Sequence, residues 1–159
     1  MIYVELMQKN MAQRLFNHIL LADDDIDDCD FFAEAVRDHF PDLKLSIMHD
    51  GAKLISLLEN PQTPKSELVF LDLNMPIMSG EECLIKIRNS DALKKHIIIV
   101  FSTSSNTADI EKMYSLGANY FITKPVAYSH LPILIKKALS LVSQPDNLQP
   151  AFENFHVKI

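Results

Sequence analysis

Residues Leu68-Val-Phe-Leu71 form an apolar run without polar alternation that passes directly into Asp72 and then into the turn-forming stretch Leu73-Asn-Met-Pro-Ile-Met-Ser-Gly80. A strand of this kind is covered on both faces, which places it inside a parallel sheet with helices on each side. Ligands of such sheets sit beyond the carboxyl ends of the strands. Asp72 therefore stands where a site is expected, although an isolated strand-end aspartate is more often a plain turn residue. Its meaning depends on what the other strands deliver beside it.

The same pattern recurs along the chain. His18-Ile-Leu-Leu-Ala22 runs into Asp23-Asp24-Asp25. A helical pattern over 27–40 repeats Phe32, Ala35, Val36 and Phe40 on one face and stops at Pro41 and Asp42. Asp27, Asp28 and Asp30 in its first turn read as solvated charge that complements the helix dipole. Leu43, Leu45 and Ile47 alternate with Lys44, Ser46 and Met48, which predicts a strand at a sheet edge with one face less buried. A short helix follows Asp50-Gly51 through Leu54, Leu57 and Leu58, closed by Pro61 and Pro64. After the Leu68–Leu71 strand, a helix over 80–89 carries Cys83, Leu84 and Ile87. Ile97-Ile-Ile-Val-Phe101 is the most β-prone run and leads into Ser102-Thr-Ser-Ser105. A helix over 107–116 ends at Gly117, Tyr120-Phe-Ile-Thr123 is a last strand before Lys124-Pro125, and a final helix covers 129–141. Five strand and helix pairs in strict alternation give a doubly wound α/β domain, because each parallel pair needs a crossover helix.

The chain length of 159 residues suits one such domain over 17–143, with an N-terminal extension over 1–16 and a C-terminal tail over 144–159. The tail holds Pro145 and Pro150 but also Phe152, Phe155, Val157 and Ile159, too apolar for a wholly disordered segment, so it is expected to dock on its own domain or on a partner. No output domain fits in the residues after Ser143, so output is expected through a protein partner. With 15 Lys and Arg against 21 Asp and Glu, the formal charge is −6, and no basic cluster interleaved with aromatics appears. That argues against direct nucleic-acid binding. Cys29 and Cys83 form no CxxC pair and no secretory leader is evident, which predicts a reduced, cytoplasmic protein with two buried thiols. The apolar runs are too short to cross a bilayer. The six histidines show no metal-ligand spacing.

Four strand ends thus converge on one edge of the sheet, bringing Asp23 and Asp24, Asp72, Ser102 and Lys124 together. Clustered carboxylates repel, and a hard divalent cation with oxygen ligands relieves them; Mg²⁺ is the obvious candidate. Such a cation neutralises an incoming phosphoryl group and leaves an oxygen of Asp72 free to attack it. Lys124 adds positive charge, and the Ser102 hydroxyl can donate to a phosphoryl oxygen. The set suits phosphoryl transfer onto a carboxylate.

The motifs Ile19-Leu-Leu-Ala-Asp-Asp-Asp25, Leu71-Asp-Leu-Asn-Met-Pro-Ile-Met-Ser-Gly80, Val100-Phe-Ser-Thr103 and Gly117-Ala-Asn-Tyr-Phe-Ile-Thr-Lys-Pro125 resemble those of the receiver domain of two-component response regulators, in particular stand-alone, chemotaxis-receiver-like ones. The resemblance covers about 17–143 and implies a flavodoxin-like five-stranded parallel sheet of order 2-1-3-4-5. It implies that Asp72 is the phosphoacceptor, served by a sensor histidine kinase or a histidine phosphotransfer protein, and that the chain is a phosphorylation switch or relay rather than an enzyme acting on a separate substrate. It further implies Mg²⁺ held by Asp24, Asp72 and the backbone carbonyl of Asn74, with Asp23 acting through water. Lys124 would pair with Asp72, a cis peptide bond would precede Pro125, Ser102 would swing toward the phosphoryl group, and Phe121 would rotate inward. Monomer and homodimer stay open. Serine at 102, phenylalanine at 121 and Thr103 depart from the commonest residues of the family. An alternative is a Mg²⁺-dependent aspartyl-phosphate phosphohydrolase, but such enzymes usually carry a carboxylate two residues after the nucleophile, and here that residue is Asn74.

Overall fold

Six parallel strands form one sheet in the order β2-β1-β3-β4-β5-β6: β1 His18–Ala22, β2 Lys44–Met48, β3 Leu68–Leu71, β4 Ile97–Ser102, β5 Tyr120–Thr123 and β6 His156–Val157. The helices are α1 Ile26–His39, α2 Gly51–Glu59, α3 Gly80–Arg88, α4 Thr107–Ser115, α5 Leu131–Val142 and a single turn, α6 Phe152–Phe155; a 3₁₀ turn, Tyr128–His130, leads into α5. The computed structural model describes residues 16–63, 68–143 and 149–159. Expectations for residues 1–15, for Pro64 as a helix stop and for Pro145 lie outside these.

The expected order 2-1-3-4-5 is present, with one strand added. β6 lies within the tail, directly after α6, and pairs with β5 through Phe121 opposite His156 and Ile122 opposite Val157. Two residues are too few to show a strand period, so only the tail's apolar content announced it. Phe16 is already buried, one residue before the expected start of the domain.

Both sheet faces are covered. Ile19, Leu21, Phe70, Ile99, Phe101 and Ile122 pack with Phe32 and Val36 of α1 and Leu134 and Ile135 of α5. Leu20, Val69, Leu71, Ile98, Val100 and Phe121 pack with Leu54 of α2, Leu84 of α3 and Met113 of α4 on the other. The period of two along each strand divides its residues between these layers. β2 is an edge strand as expected, but Met48 is buried against the second layer while Leu45 and Ile47 are half-buried against the first, so its faces are more evenly covered than the alternation predicts.

The helices start and stop where local chemistry requires. Asp25, Asp50, Ser79 and Asn106 each accept a backbone N–H at the start of α1, α2, α3 and α4. Gly117 ends the turn after α4 with φ of 90°, a left-handed conformation that glycine adopts without steric cost. α5 begins at Leu131 rather than 129 because the 3₁₀ turn occupies the preceding residues.

Candidate phosphoryl-acceptor site

Register brings the strand ends into one row. Ala22 lies opposite Leu71, Leu71 opposite Val100, and Val100 opposite Phe121. Asp23 and Asp72 consequently leave neighbouring strands side by side, and the Asp72 N–H donates to the Ala22 carbonyl at 2.9 Å. The Lys124 N–H donates to the Ser102 carbonyl at 2.7 Å, which ties the ends of β4 and β5.

Asp23, Asp24 and Asp72 each bring a carboxylate oxygen within 4.8 Å of the others. Asp23 is fully buried, Asp72 is 5% exposed and Asp24 faces solvent. Three oxygens so placed, one side open to water, fit a hard divalent cation that keeps part of its hydration shell. The Lys124 ammonium lies 2.6 Å from Asp23 Oδ2, 2.8 Å from Asp28 Oδ2 and 3.8 Å from Asp72 Oδ1. It also lies 5.6 Å from the centroid of the Phe101 ring. The lysine is thus nearer two other acids than the expected acceptor.

Burial dominates the electrostatics of Asp72. It pushes the Asp72 carboxyl up to about 7; Lys124 opposes the rise and Asp23 adds to it. Burial raises Asp23 as well, against the hydrogen bond from Lys124. Burial alone would lower the Lys124 ammonium, but hydrogen bonds to Asp23 and Asp28 and the charge of Asp72 outweigh it, and its pKa lies above the ordinary lysine value. Burial thus favours the neutral form of Asp72, and positive charge brought beside it favours the carboxylate.

The loop after β3 is built against Asp72. A Cβ on Gly80 would come within 2.1 Å of the Asp72 carbonyl oxygen, so only glycine lets α3 start this close to the strand end. Gly80 N–H donates to the Leu73 carbonyl, and Ser79 and Glu82 cap α3 reciprocally. Ile77 is 82% exposed with φ of 68°, a conformation disfavoured for a β-branched residue. Asn74 and Ser102 line a cleft of about 220 Å³ together with Ser104, Asp109 and Lys112. The Ser102 side chain is buried, and its Oγ accepts from the Ser104 N–H at 3.2 Å.

Two expectations change. The chain has no cis peptide bond among its described residues, so the bond before Pro125 is trans. A trans bond is the intrinsic preference even before proline, and Lys124 reaches the acids without the cis form. Asp28, read from sequence as solvated charge, is in fact a Lys124 partner with its side chain only 19% exposed. Its signal was the cap: with Asp25 as N-cap, accepting from Asp28 N–H at 3.0 Å, residue 28 is the third helical residue, held beside the strand end.

Phe121 is fully buried, with Phe155 at 6.3 Å and His156 at 5.6 Å between ring centroids. The ring is already inside, beneath the tail. Thr123 Oγ1 bonds the Ser104 carbonyl at 3.1 Å and shares a 2.9 Å hydrogen bond with His156 Nε2, linking the loop after β4 to the tail.

Residues 19–136 match the family model described as the response regulator receiver domain. Response regulator Rcp1 of Synechocystis sp. is 33% identical over 110 residues, which span 67% of this chain and 75% of that protein. Two solved structures superpose with a TM-score of 0.70: the phosphorylated cyanobacterial phytochrome response regulator RcpA, at 30% identity over 77% of this chain and 91% of that one, and the Mn²⁺-bound form of Rcp1, at 29% over 85% and 99%.

Proposed function

Since the chain belongs to the response regulator receiver domain family, we propose that Asp72 accepts a phosphoryl group from a phosphohistidine of a sensor kinase or histidine phosphotransfer protein, and that the modified domain acts on a protein partner or relays the group. The carrying observation is the three-carboxylate cluster with Lys124 held within 3.8 Å of the acceptor. In the transfer, an Asp72 oxygen forms the new P–O bond as the P–N bond to the donor imidazole breaks; the imidazole keeps the electron pair and leaves. The phosphorylated RcpA and Mn²⁺-bound Rcp1 structures, at 29–30% identity, support this reading.

Asp24, Asp72 and the Asn74 carbonyl would hold Mg²⁺, with the Asp23 carboxylate beside them. When bound, the cation supplies neutralisation of the phosphoryl oxygens. Lys124 offers its ammonium to the same oxygens, and the buried Ser102 hydroxyl turns from the Ser104 N–H to donate to one of them. That turn loosens the Ser104 loop, and the Thr123–His156 hydrogen bond carries the change to the tail over Phe121. A cytoplasmic location goes with this reading; among the described residues no helix is long and apolar enough to cross a membrane, and both cysteines are free.

Incubation with a small phosphodonor such as acetyl phosphate tests the reading. Labelling that requires Mg²⁺ and disappears in Asp72→Ala is expected. Labelling that persists in Asp72→Ala overturns Asp72 as acceptor.

A further inference from the structure

The Lys124 ammonium has three donors. Asp23 and Asp28 take hydrogen bonds at 2.6 and 2.8 Å, while Asp72 stands off at 3.8 Å. Asp23 belongs to the carboxylate cluster, but Asp28 does not. It arrives from α1, and its other oxygen lies 3.4 Å from the Tyr128 hydroxyl. Tyr128 in turn stacks on Phe31 with ring centroids 3.7 Å apart. Asp28, Thr103, Lys124 and Tyr128 line a cleft of about 260 Å³ on the α1 and α5 side of the site. Asp28 is therefore positioned by two elements and is aimed at the ammonium that also lies 3.8 Å from Asp72.

We propose that Asp28 is a positioning residue that works through Lys124: it holds the ammonium toward α1 and away from Asp72, so that charging Asp72 has to draw the lysine off a competing carboxylate. The proposal rests on the phosphoacceptor reading above. Asp28 makes the unphosphorylated state the better-paired one and sets how tightly the phosphoryl group is kept. The Asp28 charge acts by competing for the ammonium. An asparagine at this position keeps an acceptor for Lys124 but removes the charge, which separates holding the lysine from restraining it.

The test is calorimetric titration of the full chain with beryllofluoride at saturating Mg²⁺. Asp28→Asn is expected to bind about three- to tenfold more tightly than the unsubstituted protein, as for loss of one partly screened opposing charge. Asp28→Glu, which restores the charge, is expected to return the affinity toward the original. In a Lys124→Ala background the Asp28→Asn effect is expected to vanish, since the two act as one unit. Equal or weaker binding by a folded Asp28→Asn overturns the proposal, as does an undiminished effect without Lys124. If the unsubstituted protein binds beryllofluoride but Asp28→Asn does not differ from it, only the role of Asp28 falls. If the unsubstituted protein does not bind it at all, the phosphoacceptor reading falls with it.

Discussion

Replacing Asp72 by asparagine is expected to stabilise the metal-free protein, and the gain is expected to depend on pH. In the folded chain, burial holds the Asp72 carboxyl near 7 rather than at its ordinary 3.8. Below 3.8 the group is protonated in both folded and unfolded chains and contributes nothing. Between the two values the unfolded chain releases a proton that the folded chain keeps, so rising pH favours unfolding. Above 7 the penalty is complete. At about 1.4 kcal/mol for each tenfold change in acidity, it amounts to about 4 kcal/mol at pH 8 and less than about 2 kcal/mol at pH 5. The amide removes this penalty and leaves Lys124 its bonds to Asp23 and Asp28. Urea denaturation followed by far-ultraviolet circular dichroism, with chelator present, at pH 5 and pH 8, measures the difference. A stabilisation of the same size at both values, or none at pH 8, refutes the argument that burial of this carboxylate strains the resting fold.

The tail and the β3–α3 loop give two further tests. Phe155 is fully buried against Tyr114 and Phe121, so Phe155→Ala is expected to remove about 3–5 kcal/mol of docking energy. Hydrogen exchange should show lost protection in β6 and β5 while β1, β3 and β4 keep theirs, and unchanged protection in β6 counts against the docking. Ile77→Gly is expected to raise stability by roughly 0.5–1 kcal/mol, because relief of the left-handed conformation exceeds the entropy that glycine adds to the unfolded chain. An unchanged or lower denaturation midpoint contradicts that account.

The apolar runs Ile19–Ala22, Leu68–Leu71 and Ile97–Phe101 were legible because strands buried on both faces leave an unbroken signal. So were Asp23, Asp72 and Ser102 as candidates, since each follows such a run directly, with Asp24 one residue further on and Lys124 just after the shorter Tyr120–Thr123 strand. Asp28 was not, because a carboxylate in the first turn of a helix has a sufficient local explanation in the helix dipole, and its partner is 96 positions away. Lys124 itself was legible but its pairing with Asp28 was not, because its nearest acids are set by the arrangement of β1, α1 and β5 across the sheet and not by sequence spacing. The trans bond at Pro125 shows the converse limit: proline permits a cis bond without requiring one. β6 escaped because His156 and Val157 alone carry no period, whereas the burial of Phe155 was foreshadowed by the tail's apolar content.

The two-residue β6 also decides how the sheet ends. Without it, β5 would present Tyr120-Phe-Ile-Thr123, aromatic and β-branched, as a free row of amide donors and carbonyl acceptors, which is a template for strand addition by another chain. With it, that row is occupied at Phe121 and Ile122 by a strand too short to serve as a template itself. The opposite border, β2, begins with exposed Lys44, a residue that discourages edge pairing. A change that lifts the tail is therefore expected to make the molecule adhesive along β5, so that its tendency to self-associate becomes a readout of whether the tail is seated.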